Sequence, residues 1–281
     1  TNENRAKNFG ALGAAFGLGF IVGPYLGGKL SSPGVSFYGL FDTPSWFGAT
    51  TPFWFAAIIA MLNCAAVLTT FPETLKEKFH AGKLNALQSV TNVVDGFKSE
   101  RLRAVLISGF LFSMGFTFFT TFFGIYLRNN FNFGPSKTGD YFAIVGLFIA
   151  FSQAVLVARV SKKLSDYSVL RFSLFGNAAM MLLYFAVPTS FSFGLYLVIP
   201  FFTAFNGLTM ANMTSLISRS AEPGKQGQAM GIYSSVQSLA QVPASVLVGY
   251  ITTSITSSQP LVVASVCIAL GGLCFVFLFK P

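Results

Sequence analysis

The chain has 281 residues, of which 53% are hydrophobic and only 10% charged, whereas an ordinary soluble domain is about 25% charged. A mean hydropathy of +0.64 and 34 phenylalanines exceed what one soluble core of this length absorbs, and they exclude a disordered chain. Apolar runs of about twenty residues favour helices over the ten-residue alternating strands of a β-barrel, so the predicted class is an all-α polytopic membrane protein.

Eight apolar runs are each long enough to span a bilayer as a helix. Most of the connections between them are short and carry turn signals, such as Asn129–Asn130 and Gly134–Pro135. In chain order, the predicted spans are residues 9–30, 52–71, 102–127, 138–160, 169–187, 191–218, 228–254 and 260–279.

One connection, residues 72–101, is much longer than the others. Apolar side chains recur within it at helical spacing, with polar and charged residues between them. This pattern fits a short amphipathic helix on the inner membrane surface, and it fits equally a packed linker between two bundles. The apolar positions are Leu84, Leu87, Val90, Val94 and Phe97.

The placement of basic residues predicts the orientation of the spans. With the N-terminus in the cytoplasm, only Lys29, Arg128 and Lys137 of the 18 Lys and Arg residues fall outside. Such an asymmetry over short loops predicts cytoplasmic N- and C-termini in a plasma (inner) membrane. Topology therefore accounts for the net charge of +9, and no nucleic-acid partner is expected.

Glycines recur through the first span, which ends in Gly23-Pro24, two further residues and Gly27-Gly28. Small residues let a second helix approach closely in lipid, and a proline removes one backbone hydrogen bond and permits a bend. The glycine pairs alone fit an ordinary packing helix equally well.

The whole string is more specific, because it resembles the glycine-rich fifth-helix signature of the major facilitator superfamily. The resemblance is to the drug:proton antiporter branch, which includes tetracycline and multidrug efflux proteins. It implies export by alternating access without a cofactor or metal, and a fifth helix that packs against the eleventh. The residues that match the signature, and that would act in gating and helix packing, are Gly10, Gly19, Gly23, Pro24, Gly27 and Gly28.

The resemblance also implies a domain organisation. If the first span is the family's fifth helix, residues 1–71 hold the last two helices of the N-terminal half. Residues 72–101 are then the cytoplasmic central loop, and residues 102–281 form the C-terminal six-helix half. On this interpretation the chain is a major facilitator type bundle of eight helices, and the first four helices of the family are expected to be missing.

A basic segment between the fourth and fifth spans is similar to the weaker C-half copy of the family's Gly-x-x-x-Asp-Arg loop. It departs from the pattern, because Ala158 stands where glycine is usual and no basic residue directly follows Asp166. The resemblance implies a cytoplasmic gate formed by Arg159, Lys162, Lys163 and Asp166.

All nine acidic residues fall in loops or at the ends of spans. Asp140 lies closest to a span, and we interpret it as a first-turn acid that the helix dipole favours. The spans therefore offer no evident proton carrier, and a coupling carboxylate is expected in the missing helices.

Polar and soft side chains inside the spans are the candidates for a substrate cavity. Ser234, Gln237 and Gln241 recur at intervals of three and four, and they form a stripe that faces either a cavity or another helix. Phe112, Phe116, Phe119 and Phe123 form an aromatic stripe that would suit bulky amphipathic compounds, although lipid-facing phenylalanine is ordinary. The predicted cavity residues are Phe116, Gln153, Asn206, Met210, Ser234, Gln237 and Gln241.

The predicted function is secondary active transport, namely proton-coupled efflux of drugs or other small amphipathic compounds. The expected partners are a small-molecule substrate, a proton or other coupling ion, and the lipid bilayer. One alternative is a major facilitator transporter of a sugar, peptide or other metabolite, and another is a non-transporting remnant or regulator. An intramembrane enzyme is disfavoured, because the spans hold no His, Asp or Glu at membrane depth.

Overall fold

The computed structural model describes residues 18–19, 21–37, 41–71, 94, 96–160, 163–221, 225–254 and 259–279. A helix over residues 21–30 is named α1, and an antiparallel pair of short strands follows it, β1 (Ser36–Phe37) and β2 (Phe41–Asp42). The remaining helices are α2 (Thr51–Thr70), α3 (Glu100–Phe131), α4 (Pro135–Val160), α5 (Asp166–Ala186), α6 (Phe193–Ser220), α7 (Gln226–Ser254) and α8 (Gln259–Leu278).

Six of the described helices are long and apolar enough to cross a membrane, namely α2 to α6 and α8. The helix α7 has 29 residues, but serines and glutamines interrupt its apolar sequence and it falls outside this group. The first part of the first predicted span, residues 9–17, and residue 20 lie outside the described residues. The all-α membrane class is therefore confirmed, whereas the count of eight spans is not.

Local signals in the sequence set the bounds of these helices. Asn132 ends α3 in the left-handed conformation, with φ of 54°, which asparagine adopts more readily than most residues. Pro135 then begins α4 in its first turn, where a missing N–H costs nothing. The Ser165 side chain caps α5 by accepting a hydrogen bond from the Ser168 backbone N–H.

The helices α3 to α8 pack together around a shared aromatic and aliphatic core. The helix α8 lies against α3 and α5, α6 lies against α5 and α4, and α7 packs on α3. Buried tyrosines join three helices: the Tyr141 hydroxyl donates to the Tyr184 hydroxyl at 3.0 Å, and the Tyr126 hydroxyl donates to the Tyr184 carbonyl at 2.8 Å. These bonds satisfy polar atoms that would otherwise be costly in a membrane interior.

The helix α2 has no buried residue, although its side chains are strongly apolar. Phe53 and Leu68 are among the most exposed apolar side chains in the described chain. Such a surface is stable in lipid or against further apolar protein, because water would solvate it poorly.

The long connection is described only near its end, so most of the predicted amphipathic segment lies outside the described residues. Val94 is exposed, whereas Phe97 is half-buried and packs against the core of α3 to α8. Gly96 beside it is buried, and a Cβ there would lie 3.0 Å from Ile232 of α7. This end of the connection therefore packs as a linker does.

The helix α4 is interrupted by a π-helical stretch, Ser152–Val157. Stretches of this kind are frequent at functional sites, because the wider turn re-aims side chains. Ser152 is buried there against Gly207 of α6, where a Cβ would lie 2.8 Å from the Ser152 Oγ.

Candidate transport pathway

The glycine-rich first span touches α4 through backbone atoms. A Cβ added to Gly28 would lie 2.6 Å from the Pro135 carbonyl oxygen and 2.8 Å from the Gly139 Cα. A Cβ on Gly139 would lie 2.8 Å from the Pro24 carbonyl oxygen. Real Cβ atoms do not approach backbone so closely, so this crossing requires glycine on both helices.

The other motif glycines are not packed in this way. Gly19, Gly23 and Gly27 have no heavy atom within 4 Å of an added Cβ, and Gly10 lies outside the described residues. The close contact at this span is with α4. The packing against the eleventh helix that the resemblance implies stays a prediction.

An ion pair lies directly beside the glycine crossing. The Lys29 ammonium lies 3.1 Å from the Asp140 carboxylate and donates a hydrogen bond to the Ser136 hydroxyl at 2.9 Å. The Lys29 side chain is 12% exposed and that of Asp140 is 45% exposed. The interpretation of Asp140 as a first-turn acid is wrong, because α4 begins at Pro135 and Asp140 lies beyond its first turn. Asp140 instead binds a cation on another helix.

A cavity of about 730 Å³ opens next to this contact, between α1, α3 and α4. Small and apolar residues line most of it, and Arg128 is among the lining residues. Gly27 of α1 and Gly124 of α3 both line this cavity. We call the end of the molecule that holds the cavity the Lys29 end.

The polar stripe of α7 is partly exposed. Ser234 and Gln241 are exposed and Gln237 is half-buried, while Val236 and Ala240 are buried. The opposite side of α7 packs on α3, where a Cβ on Gly109 would lie 2.7 Å from the Tyr233 ring. The Ser234 and Gln241 side chains therefore lie on an uncovered surface of the described helices, whereas Gln237 is hydrogen-bonded to Tyr233 beside α3.

Near the middle of α6, two predicted cavity residues lie close to the π-helical stretch of α4. Asn206 is 5% exposed, and its Nδ2 has no hydrogen-bond partner among the described residues. Gln153 is exposed, and its Nε2 lies 3.6 Å from the Cβ position of Gly207, the residue after Asn206. Met210, one turn further along α6, is 40% exposed.

The aromatic stripe of α3 mostly faces the protein core. Phe112, Phe119 and Phe123 are buried in the shared core, so the suggestion that the stripe lines a cavity is wrong for these three. Phe116 is half-buried and stacks on Phe112 and Phe119, with ring centroids 6.0 and 6.4 Å away. The spacing of the phenylalanines correctly predicted that they share one face of α3, but that face packs against other helices.

At the opposite end of α4, which we call the Asp166 end, a carboxylate is held by α6. Asp166 accepts a hydrogen bond from the Ser215 hydroxyl at 2.5 Å and lies 3.2 Å from the Arg219 Nε. Its side chain is 11% exposed, whereas that of Arg219 is 74% exposed. Arg159 and Lys163 are exposed, and Lys162 lies outside the described residues.

The sequence patterns did not predict two sets of contacts. Ser215 and Arg219 occupy the last turns of a predicted span, and Lys29 is 111 residues from Asp140. The sequence did offer one signal for Lys29 and Asp140. They carry opposite charges, and both lie near ends of spans that are predicted to be on the same side of the membrane. Within the described part of the chain, no group of three His, Cys, Asp or Glu side chains could hold a metal ion.

Comparison with known proteins gives a consistent result. The chain is 27% identical over 173 residues to "Tetracycline resistance protein, class H" of Pasteurella multocida, covering 61% of this chain and 40% of that protein. It is 26% identical over 249 residues to "Multidrug resistance protein 2" of Bacillus subtilis (strain 168), covering 86% and 57%. It is 24% identical over 265 residues to "Hippocampus abundant transcript-like protein 1" of Rattus norvegicus, covering 89% and 47%.

The chain spans about half the length of these curated relatives. The family model described as Major Facilitator Superfamily matches residues 1–245, which include α1 to α6 and most of α7. With its long apolar helices, its glycine-mediated crossing of α1 on α4 and this match, the chain belongs to the Major Facilitator Superfamily of membrane transporters.

Proposed function

We propose that this membrane transporter exports drugs or other small amphipathic compounds in exchange for protons, by alternating access. The observation that carries the proposal is the α1 crossing, in which the antiporter-type motif meets α4 at Gly28 and Gly139. Relatives named for tetracycline and multidrug resistance support the substrate class. In such a mechanism the two halves rock around a site near the middle of the membrane.

The proposed halves follow the resemblance. Residues 1–71 belong to the N-terminal half, residues 72–101 join the halves, and residues 102–281 form the C-terminal half. The protein is proposed to lie in the plasma (inner) membrane, with the Lys29 end facing outward. The Asp166 end and both termini are proposed to face the cytoplasm. The basic residues of the intervening loops support this orientation.

The substrate is proposed to pass along the exposed polar face of α7 and the nearby part of α6. Ser234, Gln237 and Gln241 provide uncharged hydrogen-bonding groups there, and Met210 adds a soft apolar contact. Arg159, Lys162, Lys163 and Asp166 are proposed to act at the cytoplasmic gate. A cavity with uncharged polar groups suits neutral or cationic amphipathic compounds better than strongly anionic metabolites.

Gln241 offers a direct test of the proposed pathway. In a cysteine-free background, Gln241→Cys is expected to react with a water-soluble maleimide in membranes, and substrate is expected to slow the reaction. Ala240→Cys is the matched control, because Ala240 is fully buried and a thiol there should stay unlabelled. If Gln241→Cys were as unreactive as Ala240→Cys in every condition, α7 would not line an aqueous pathway.

Transport assays test the proposed function itself. Membrane vesicles that contain the protein are expected to move a tetracycline or a cationic dye when a proton gradient is imposed. Movement of a sugar or peptide, with no response to those compounds, would instead favour the alternative of a metabolite transporter.

A further inference from the structure

We propose that Lys29 and Asp140 form an ionic latch that holds α1 against α4 and closes the transport pathway at the Lys29 end. The inference rests on the proposed alternating access, and it assigns one of its gates to two residues. The latch residues flank the tightest point between the two helices, because Lys29 follows Gly28 and Asp140 follows Gly139.

The glycine crossing places the two charges where they must meet. Backbone atoms of α1 and α4 are in direct contact at Gly28 and Gly139, and Lys29 and Asp140 are the next residues on the two helices. The Lys29 ammonium reaches the Asp140 carboxylate at 3.1 Å and the Ser136 hydroxyl at 2.9 Å. Separation of the helices would break the ion pair, the hydrogen bond and the backbone contact together.

Burial makes this ion pair more than a surface contact. The Lys29 side chain is 12% exposed, and its ammonium lies 5.6 Å from the centre of the Tyr25 ring. An ammonium withdrawn from water needs a fixed anion, whereas exposed pairs contribute little. Opening the crossing would leave Lys29 without that anion until water enters.

The tight contact is confined to one end of α1 among the described residues. Gly19, Gly23 and Gly27 have no neighbour within 4 Å of an added Cβ, although each could have accepted a close helix. A contact across the full length would fix the two helices rigidly. A contact at one end suits a gate, because α1 can part from α4 there while the rest of the bundle stays packed.

Other charged groups at this end are directed elsewhere. The Lys137 ammonium lies 4.1 Å from the centre of the Phe133 ring, and Arg128 lines the cavity between α1, α3 and α4. Lys137 stands on the same helix as Asp140 and carries the same charge as Lys29. It therefore provides a matched control for the removal of one positive charge.

The test measures closure directly, without any need for transport. Gly27→Cys and Gly124→Cys place thiols on α1 and α3 around one cavity, and neither added Cβ meets a heavy atom within 4 Å. The native thiols of Cys64, Cys267 and Cys274 are first replaced by alanine. In membranes, a short bifunctional maleimide should then join the two introduced cysteines when the Lys29 end is closed.

Lys29→Gln or Asp140→Asn is expected to lower the rate of this cross-linking about five-fold, the size expected for a partly buried ion pair. The exchange of charges in Lys29→Asp with Asp140→Lys is expected to restore the rate, which a misfolded protein would not do. Lys137→Gln is expected to leave the rate unchanged.

Two results would overturn the latch: unchanged cross-linking in both single variants, or a charge exchange that is no better than either single variant. A protein that transports no drug and still shows the predicted cross-linking pattern would refute the proposed substrate class and retain the latch. The two proposals therefore fail separately.

Discussion

Gly28→Ala is expected to lower the transport rate about five-fold or more, because overpacking at a closed contact costs about 1 to 3 kcal/mol. The added methyl group would lie 2.6 Å from the Pro135 carbonyl oxygen, and backbone cannot move aside as a flexible side chain can. Alanine is otherwise the better helix residue, so intrinsic helix propensity would predict the opposite effect. Transport rates in vesicles, normalised to the amount of protein in the membrane, measure this loss.

Gly27→Ala is the matched control for this prediction. It makes the same chemical change at the adjacent position, where no heavy atom lies within 4 Å of the added methyl group. Its transport rate should stay close to that of the parent protein. Equal effects of the two substitutions would show that α1 does not cross α4 as described.

The second large effect is expected at the Asp166 end. Asp166→Ala should lower the melting temperature by about 5 °C and impair transport, because it removes a charge-assisted hydrogen bond and a favourable charge at a helix N-terminus. The carboxylate of Asp166 accepts a hydrogen bond from the Ser215 hydroxyl at 2.5 Å, and the Asp166 side chain is 11% exposed. Thermal unfolding of the detergent-solubilised protein measures the loss of stability.

The two partners of Asp166 should contribute unequally. The Arg219 side chain is 74% exposed, so solvent screens its ion pair, and Arg219→Gln is expected to change the melting temperature little. Ser215→Ala should reproduce more of the Asp166→Ala loss. The exposed Lys163 in the same loop serves as the control for stability, and Lys163→Ala should leave the melting temperature unchanged. A larger effect of Arg219→Gln than of Ser215→Ala would contradict this division.

The fold class was predictable from the sequence, because hydropathy and length decide whether a helix can span a membrane. The predicted spans of residues 102–127 and 191–218 correspond to α3 (Glu100–Phe131) and α6 (Phe193–Ser220). The extra turns of α3 were missed because polar residues such as Asn129 and Asn130 suggested an earlier end. A helix continues past such residues until a left-handed residue, here Asn132, turns the chain.

Side-chain environment was harder to predict than helix position. The period of Phe112, Phe119 and Phe123 identified one face of α3, but hydrophobicity does not distinguish a cavity from a core or from lipid. The structure resolves that choice through the neighbours of each ring, such as Tyr184 and Phe202 at 5.7 and 5.0 Å from Phe119. The period of Ser234, Gln237 and Gln241 was more informative, because a bundle buries few uncharged polar groups without partners.

Contacts between distant segments were the least predictable part of the candidate site. The motif identified a set of glycines, and only the partner helix shows that Gly28 makes the close contact while Gly23 and Gly27 do not. Lys29 and Asp140 are ordinary end-of-helix charges when considered alone. They become an ion pair only because the glycine crossing brings α1 and α4 together.

Proton-driven drug movement in membrane vesicles tests the central proposal most directly. In everted vesicles that contain the protein, an inside-acid proton gradient is expected to drive uptake of a tetracycline or a cationic dye. A protonophore should abolish that uptake, and Gly28→Ala should lower it several-fold while Gly27→Ala leaves it close to the parent value. Drug uptake that is independent of the proton gradient would contradict proton-coupled drug export, and so would transport that is restricted to sugars or peptides.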